Sequence, residues 1–121
     1  MARDSLAGAE TCLTAKCARS AVSRAYYAVF AAVTAMLLKC GQHPRAAHGA
    51  WPHKELPKLV RRHLSSEYGA GRARDLSRIV NVNYMLRILA DYGPGRVVDG
   101  ASARRCVANA RAVLKVAESL L

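Results

Sequence analysis

The longest apolar stretch of the chain runs from Ser20 to Leu38 and predicts a helix that is buried on several sides. From Ala25 to Leu38 the sequence carries no charge, whereas a surface helix shows one apolar stripe beside a polar face. Two neighbouring stripes at helical spacing are expected in the core: Val22, Tyr26, Val29, Val33 and Met36 in the first, and Tyr27, Phe30, Thr34 and Leu38 in the second. We expect the rest of the fold to pack around this helix.

Four further segments show helical periodicity, and no stretch shows the alternation that is typical of a strand. Helices are expected over about residues 4–15, 53–64 and 72–92, and in a last segment that Asp99 caps and that continues to the end of the chain. The pattern predicts an all-α, up-and-down bundle of four to five helices, formed by a single domain over residues 1–121.

Glycine and proline mark the expected ends of these helices. Gly41 is placed to end the central helix in the left-handed conformation. Gly93-Pro94-Gly95 is expected to stop the fourth helix. The expected connections are a tight turn over residues 16–19, a loop over 42–52 and a polar linker over 65–71.

The sequence favours a soluble, cytoplasmic protein without a membrane segment. The uncharged run from Ala25 to Leu38 has fourteen residues, fewer than the roughly 18–20 that a membrane span requires. Asp4 and Glu10 lie where a signal peptide would have a basic start and an apolar centre. The four cysteines lack the paired spacing of metal ligands, so we expect reduced thiols, no metal site and no cofactor.

The charge balance is strongly basic. Nineteen Lys plus Arg residues against eight Asp plus Glu give a formal net charge of +11, which raises affinity for polyanions. Nucleic acid is therefore the first candidate partner, and an acidic protein is the alternative that charge alone does not exclude. Lys54, Lys58 and Arg61 form an outer stripe on the third helix and are candidate phosphate contacts.

A group of polar residues interrupts the apolar pattern of the fourth helix. Asn83, Tyr84, Arg87 and Asp91 lie on neighbouring rows, spaced three and four residues apart. The helix dipole disfavours a carboxylate at a helix C-terminus, so Asp91 is expected to have a cation beside it. Arg87 one turn back or Arg24 across the bundle could supply that cation. An ordinary exposed ion pair is the competing interpretation.

Three groups of residues resemble a HEPN domain: Ser23-Arg24-Ala25-Tyr26-Tyr27-Ala28-Val29-Phe30; then Leu38, Gly41 and His48-Gly49; then Leu86-Arg87 through Ala90-Asp91-Tyr92-Gly93-Pro94. The likeness covers nearly the whole chain in order and is closest to small stand-alone prokaryotic HEPN proteins. The resemblance implies an up-and-down bundle that forms a homodimer with a polar cleft between protomers. It also implies RNA or a nucleotide as ligand and a place in a toxin–antitoxin, CRISPR or other defence module, with a minimal nucleotidyltransferase antitoxin as a candidate partner.

The chain departs from the nuclease members of this family at the position that matters most. In those members an arginine stabilises the phosphate, and a histidine one and a half to two turns later moves a proton. Arg87 matches the arginine, but Ile-Leu-Ala-Asp-Tyr-Gly follows it without a histidine. Every histidine of the chain lacks an arginine at the required upstream distance: His43, His48, His53 and His63. Asp91 and Tyr92 remain as candidates for proton transfer, although their ordinary pKa values match pH 7 poorly.

Three functions remain open at this point. The first is an RNA- or nucleotide-binding protein that lacks the Arg…His pair, in which Arg24, Asn83 and Arg87 contact phosphate and Asp91 orients the arginines. The second is a non-enzymatic helical adaptor, or a subunit of a larger nucleoprotein complex. The third is an active metal-independent endoribonuclease that uses Arg87 with Asp91 or Tyr92.

Overall fold

The described part of the polypeptide folds into five α-helices. The computed structural model describes residues 2–44, 51–93 and 98–120. The helices are α1 (Ala2–Thr14), α2 (Ala18–Lys39), α3 (Leu56–Tyr68), α4 (Ala70–Tyr92) and α5 (Gly100–Leu120), and a 3₁₀ turn, His53–Glu55, leads into α3. These three described ranges contain no strand. The predicted all-α bundle is confirmed.

Helix α2 lies at the centre of the bundle and packs against each of the other four helices. Its first predicted stripe is fully buried, from Val22 to Met36. The second stripe is buried only in part: Tyr27 and Leu38 are 43% and 41% exposed, whereas Phe30 packs against the core. Alanines on the opposite flank of α2 are buried instead, since small side chains allow a neighbouring helix to approach closely: Ala21, Ala25, Ala28 and Ala32.

Helix α2 is long and apolar enough to cross a membrane by length and composition, which the fourteen-residue run did not indicate. It is the one such helix in the described part of the chain. Just over half of its most apolar window, 56%, is buried inside the fold. The core helix of a soluble protein passes the same criterion, so α2 is weak evidence for a membrane span.

The predicted C-terminal end of α2 and the predicted start of α5 are confirmed by their hydrogen bonds. Gly41 has a φ of 82°, and its N–H donates to the carbonyl of Leu38 at 3.0 Å. In α5 the carboxylate of Asp99 accepts a hydrogen bond from the N–H of Ser102 at 2.8 Å, which satisfies a donor that the first turn leaves free.

Two connections are shorter than predicted. Helix α2 starts at Ala18, two residues before Ser20, because the chain reverses at Lys16 with a φ of 62°. Helix α3 continues past residue 64 to Tyr68, and the expected linker over 65–71 reduces to Gly69, whose φ is 89°. That left-handed conformation is accessible to glycine at little cost, so one residue suffices to turn the chain into α4.

Helix α4 ends at Tyr92, as predicted, and the N–H of Gly93 donates to the carbonyl of Leu89 at 2.9 Å. Pro94 and Gly95, to which the stop was assigned, lie outside the described residues. His48 and Gly49, part of the family likeness, lie outside them as well.

Candidate phosphate-binding site

Arg87 and Asp91 form an ion pair in the last two turns of α4. The Nε atom of Arg87 lies 2.8 Å from the Oδ2 atom of Asp91, and the two side chains are 16% and 31% exposed. The buried Nε atom makes no aligned hydrogen bond, so this contact is electrostatic. Of the two cations expected near Asp91, Arg87 is the one that pairs with it.

Two residues one turn apart on α2 hold this pair from the other side. The hydroxyl of Ser23 donates to the Oδ1 atom of Asp91 at 2.8 Å, and the Nη2 atom of Arg87 donates to the hydroxyl of Tyr27 at 3.0 Å. The guanidinium carbon also lies 5.5 Å from the centre of the Tyr27 ring, within the range of a cation–π contact. We call these four residues, Ser23, Tyr27, Arg87 and Asp91, the Arg87 site.

Arg24 does not join this pair. Its side chain is exposed, and none of the ion pairs among the described residues includes it. A Cβ atom added at Gly8 would lie 2.9 Å from its Nη1 atom, so the side chain lies over α1. The missing side chain of Gly8 leaves the Arg24 guanidinium an exposed surface to lie on, so Arg24 does not supply the cation that was expected beside Asp91.

Arg24 nevertheless borders the Arg87 site through a shallow cleft between α1 and α2. This cleft has a volume of about 380 Å³ and is lined by Ser5, Ser20, Ser23, Arg24 and Tyr27. Ser23 and Tyr27 belong to both surfaces, so the cleft is continuous with the Arg87 site. The hydroxyls of Ser5 and Ser20 beside a guanidinium are groups that bind phosphate oxygens, whereas the hydroxyl of Ser23 already donates to Asp91. We call this the serine cleft.

Arg19 completes the C-terminal end of α4, and sequence reasoning missed it. Its Nε atom donates to the carbonyl of Ala90 at 2.5 Å and its Nη2 atom to the carbonyl of Gly93 at 3.2 Å. A cation here satisfies carbonyls that the last turn leaves free and compensates the helix dipole beside Asp91. Arg19 precedes Ser23 by four residues, and that spacing on one face of α2 is the signal that could have found it.

A histidine from a distant segment lies near Arg87. The Nδ1 atom of His53 is 2.5 Å from the hydroxyl of Tyr26, and the His53 ring stacks on Tyr84 with a centroid distance of 5.8 Å and an angle of 6°. Burial lowers the pKa of His53, and the charge of Arg87 lowers it further. Burial also raises the pKa of the Tyr26 phenol. At pH 7 both groups are therefore neutral.

The search for a histidine along α4 could not find His53, because it belongs to the 3₁₀ turn before α3. The helices bring it close to Arg87 although the two residues are far apart in sequence. No spacing rule within one helix describes such a contact.

Asn83 belongs to the core and not to the exposed site. Its side chain is 0% exposed, its Nδ2 atom donates to the carbonyl of Cys106 at 3.2 Å, and its Oδ1 atom accepts from the Nδ2 atom of Asn109 at 3.1 Å. A buried amide needs such partners, and these tie α4 to α5. In this arrangement Asn83 cannot reach a phosphate, contrary to its assignment from the sequence.

The remaining predicted residues lie at the surface. Tyr92 is the last residue of α4 and is 75% exposed. Lys54 in the 3₁₀ turn and Lys58 and Arg61 on α3 are all exposed. Within the described ranges, no hydrogen bond or ion pair connects these four residues to the Arg87 site.

Metal ligands are not grouped in the part of the chain that the structure describes, since no three His, Cys, Asp or Glu side chains there could hold one ion. All four cysteines are free thiols. Burial raises the pKa of the Cys106 thiol to about 11, so this thiol is protonated at neutral pH.

The fold and the site define the class: an all-α bundle with an arginine-centred polar site where α2 meets the end of α4. A family model described as the HEPN domain matches residues 1–120, so the chain belongs to the HEPN domain family. No curated protein and no solved structure matches it. Membership in this family supports, in general, a role of the defence type that is related to nucleotides or RNA.

Proposed function

We propose that this chain is an RNA- or nucleotide-binding protein of a toxin–antitoxin, CRISPR or related defence module. The Arg87 site and the serine cleft would together receive a phosphate group. The observation that supports this most directly is the cleft itself, in which the exposed guanidinium of Arg24 lies beside three serines. The net charge of +11 favours a polyanionic ligand.

Each arginine has a separate part in this proposal. Arg24 is exposed and supplies a charge that a phosphate meets from solvent. Arg87 is held in place by Asp91 and Tyr27, so its guanidinium has a fixed orientation at the side of the cleft. Fixed donors lose little side-chain entropy when a ligand binds.

Binding of a fluorescent single-stranded RNA, followed by anisotropy at several salt concentrations, tests the proposal. The logarithm of the affinity should fall with the logarithm of the salt concentration by about 0.7 per phosphate contact. Arg24→Gln should raise Kd and reduce that slope by about one contact. Arg104→Gln, which removes an exposed charge from α5, is the matched control. Competition by ATP distinguishes a nucleotide ligand from an RNA chain.

Absence of RNA binding at low salt would contradict the proposal. It would favour the alternative from the sequence, a non-enzymatic adaptor or a subunit of a larger nucleoprotein complex. A Kd that rises equally in the Arg24 and Arg104 variants would show that only net charge matters, and it would remove the serine cleft from the proposal.

Metal-independent RNA cleavage is a second candidate function, and His53 is the observation that favours it. A neutral imidazole near Arg87 is able to take the proton of a 2′-hydroxyl, while the guanidinium stabilises the phosphate. Arg87, Asp91 and Tyr92 were the catalytic candidates from the sequence, and His53 now joins them. Neither Asp91 nor Tyr92 is buried.

Cleavage of RNA in EDTA with a 2′,3′-cyclic phosphate product is the expected signature of this second function. Arg87→Ala and His53→Gln should both abolish cleavage, whereas His63→Gln on α3 should not. Cleavage that survives His53→Gln but not Asp91→Asn or Tyr92→Phe would transfer the proton-transfer role to one of the sequence candidates.

We further propose that the protein acts in the cytoplasm as a homodimer and that a minimal nucleotidyltransferase antitoxin or a defence-complex subunit is its protein partner. An exposed apolar row on α4 supports the dimer. Met85, Leu89 and Tyr92 are 54%, 36% and 75% exposed, and their spacing places them on one face of the helix. At about 100° per residue this row lies on another side of α4 from Arg87 and Asp91, so a second copy that covers it would leave the Arg87 site uncovered.

A further inference from the structure

A second cleft with a high density of positive charge lies at the turn between α3 and α4. Its volume is about 320 Å³, and it is lined by Arg61, Arg62, Ser65, Ala70 and Arg74. We call it the elbow cleft. All three of its arginines are exposed, and none takes part in an ion pair within residues 2–44, 51–93 and 98–120. The acidic residue nearest in sequence to Arg74, Asp75, pairs with Arg78 instead.

The start of α4 adds backbone donors to this cleft. No side chain caps the helix at Gly69, and its first turn holds no acidic residue. Ala73 is the first residue whose N–H enters the helical ladder, by donating to the carbonyl of Gly69 at 3.0 Å. The N–H groups of Ala70, Gly71 and Arg72 therefore have no acceptor within the helix.

Space for a ligand is open at this helix start. A Cβ atom built at Gly69 or at Gly71 would meet no atom within 4 Å. Helix α5 gives the contrast within the same chain, because there the carboxylate of Asp99 occupies the corresponding position and binds the N–H of Ser102. At α4 that acidic group is missing.

The charges around the start of α4 repel one another unless an anion is present. A helix N-terminus carries about half of a positive elementary charge, and the three arginines of the cleft add to it. A phosphate would bind the free N–H groups and the guanidinium forks at the same time, and both are geometries that suit its oxygens. Ser65 also lines the cleft, but its hydroxyl already donates to the carbonyl of Arg61.

We infer that the elbow cleft is a phosphate-binding site for the RNA backbone, separate from the Arg87 site. Positions 74 and 87 of one α-helix are about 20 Å apart along its axis and about 140° apart around it. The elbow cleft therefore lies near the opposite end and on another side of α4. The choice of RNA as the ligand rests on the proposed function. The affinity of the cleft for phosphate does not depend on it.

The test compares two variants that lose the same charge. Arg62→Gln/Arg74→Gln removes two guanidiniums from the elbow cleft, and Arg104→Gln/Arg105→Gln removes two from exposed positions of α5. For binding of a fluorescent single-stranded RNA, the slope of log affinity against log salt concentration should be smaller by about 1.4 in the elbow variant, which corresponds to two phosphate contacts. Its Kd should rise well above that of the α5 variant. Equal melting temperatures confirm that both variants are folded.

A second measurement uses inorganic phosphate alone. In amide NMR spectra, phosphate should shift the signals of Ala70 and Gly71 in the wild type and in Arg87→Gln, but not in the elbow variant. Shifts of these amides combined with an unchanged RNA salt slope would overturn RNA as the ligand and assign free phosphate instead. Unshifted amides and equal Kd values for the two double variants would overturn the inference.

The two proposals fail in different ways. Loss of RNA binding in the Arg24 variant only would leave the joint role of the serine cleft and the Arg87 site supported and reject the elbow cleft. Loss in the elbow variant only would support the elbow cleft and reject the proposed role of the Arg87 site and the serine cleft.

Discussion

Removal of the Asp91 carboxylate should destabilise the fold, and the chain contains a matched control for this experiment. In Asp91→Ala the guanidinium of Arg87, only 16% exposed, loses the ion pair at 2.8 Å, and the hydroxyl of Ser23 loses its acceptor. Asp75 makes a comparable pair with Arg78 on the same helix, at 2.6 Å, but with side chains that are 63% and 71% exposed, respectively. Asp75→Ala is therefore the control.

The expected magnitude follows from burial. A hydrogen bond to a charged group contributes about 1.5–3 kcal/mol when it is shielded from water, and an exposed ion pair contributes about 0–1 kcal/mol. The contribution of the Asp91 carboxylate lies between these cases. Its position at a helix C-terminus lowers that contribution by about 0.3–1 kcal/mol. We expect Asp91→Ala to lower the free energy of unfolding by about 1.5 kcal/mol relative to Asp75→Ala, or by roughly 5 °C in melting temperature for a domain of this size.

Urea titration followed by circular dichroism measures both values. In a helix interior alanine gains about 0.5 kcal/mol in helix propensity over aspartate. Asp75 lies inside α4 and Asp91 in its last turn, so this gain cancels only in part. Equal free energies of unfolding for Asp91→Ala and Asp75→Ala would refute the reasoning, since the Arg87 pair would then behave as an ordinary surface pair.

Three further predictions concern separate parts of the molecule. The pKa of His53 in the folded protein is lowered below its ordinary value, so the unfolded chain binds a proton more readily than the folded protein does. The stability due to neutral His53 is therefore present above about pH 6.5 and is lost as the pH falls towards the folded pKa. Melting temperatures from pH 8 to pH 5 should therefore fall more steeply in the wild type than in His53→Gln, and parallel curves would contradict this. Gly8→Ala should stabilise α1 by up to about 1 kcal/mol. The same variant should weaken RNA binding, because the added Cβ atom would lie 2.9 Å from the Nη1 atom of Arg24 and displace that side chain. An unchanged Kd would count against the serine cleft. Leu89→Glu should convert a dimer into a monomer in light scattering after gel filtration, and a wild-type protein that is already monomeric would reject the α4 interface.

The course of the backbone could be predicted from the sequence because it depends on local chemistry. The apolar run of α2, the glycine at position 41 and the carboxylate of Asp99 each act within a few residues of their own position. The larger of the two exceptions is Gly69, where one left-handed residue replaces a predicted linker of seven. Polar sequence is typical of both a linker and an exposed helix, so composition could not separate the two.

The candidate site could be predicted only in part. The pair between Arg87 and Asp91 follows from helical spacing. Periodicity identifies an apolar face but not where a neighbouring helix stops covering it, which is why Tyr27 was assigned to the core. Arg19 donates a hydrogen bond to a carbonyl of α4, and the pKa of His53 is lowered by the charge of Arg87 on α4. Both interactions join segments that are distant in sequence, so they depend on how the helices pack.

The bonds from Arg19 to the carbonyls of Ala90 and Gly93 have a mechanical consequence. They fasten the first turn of α2 to the last turn of α4, and the two halves of the Arg87 site are carried by those same two helices. Neither half can shift away without breaking this clamp. An incoming phosphate therefore meets a receptor that is assembled before it arrives, and its binding should leave the backbone almost unmoved.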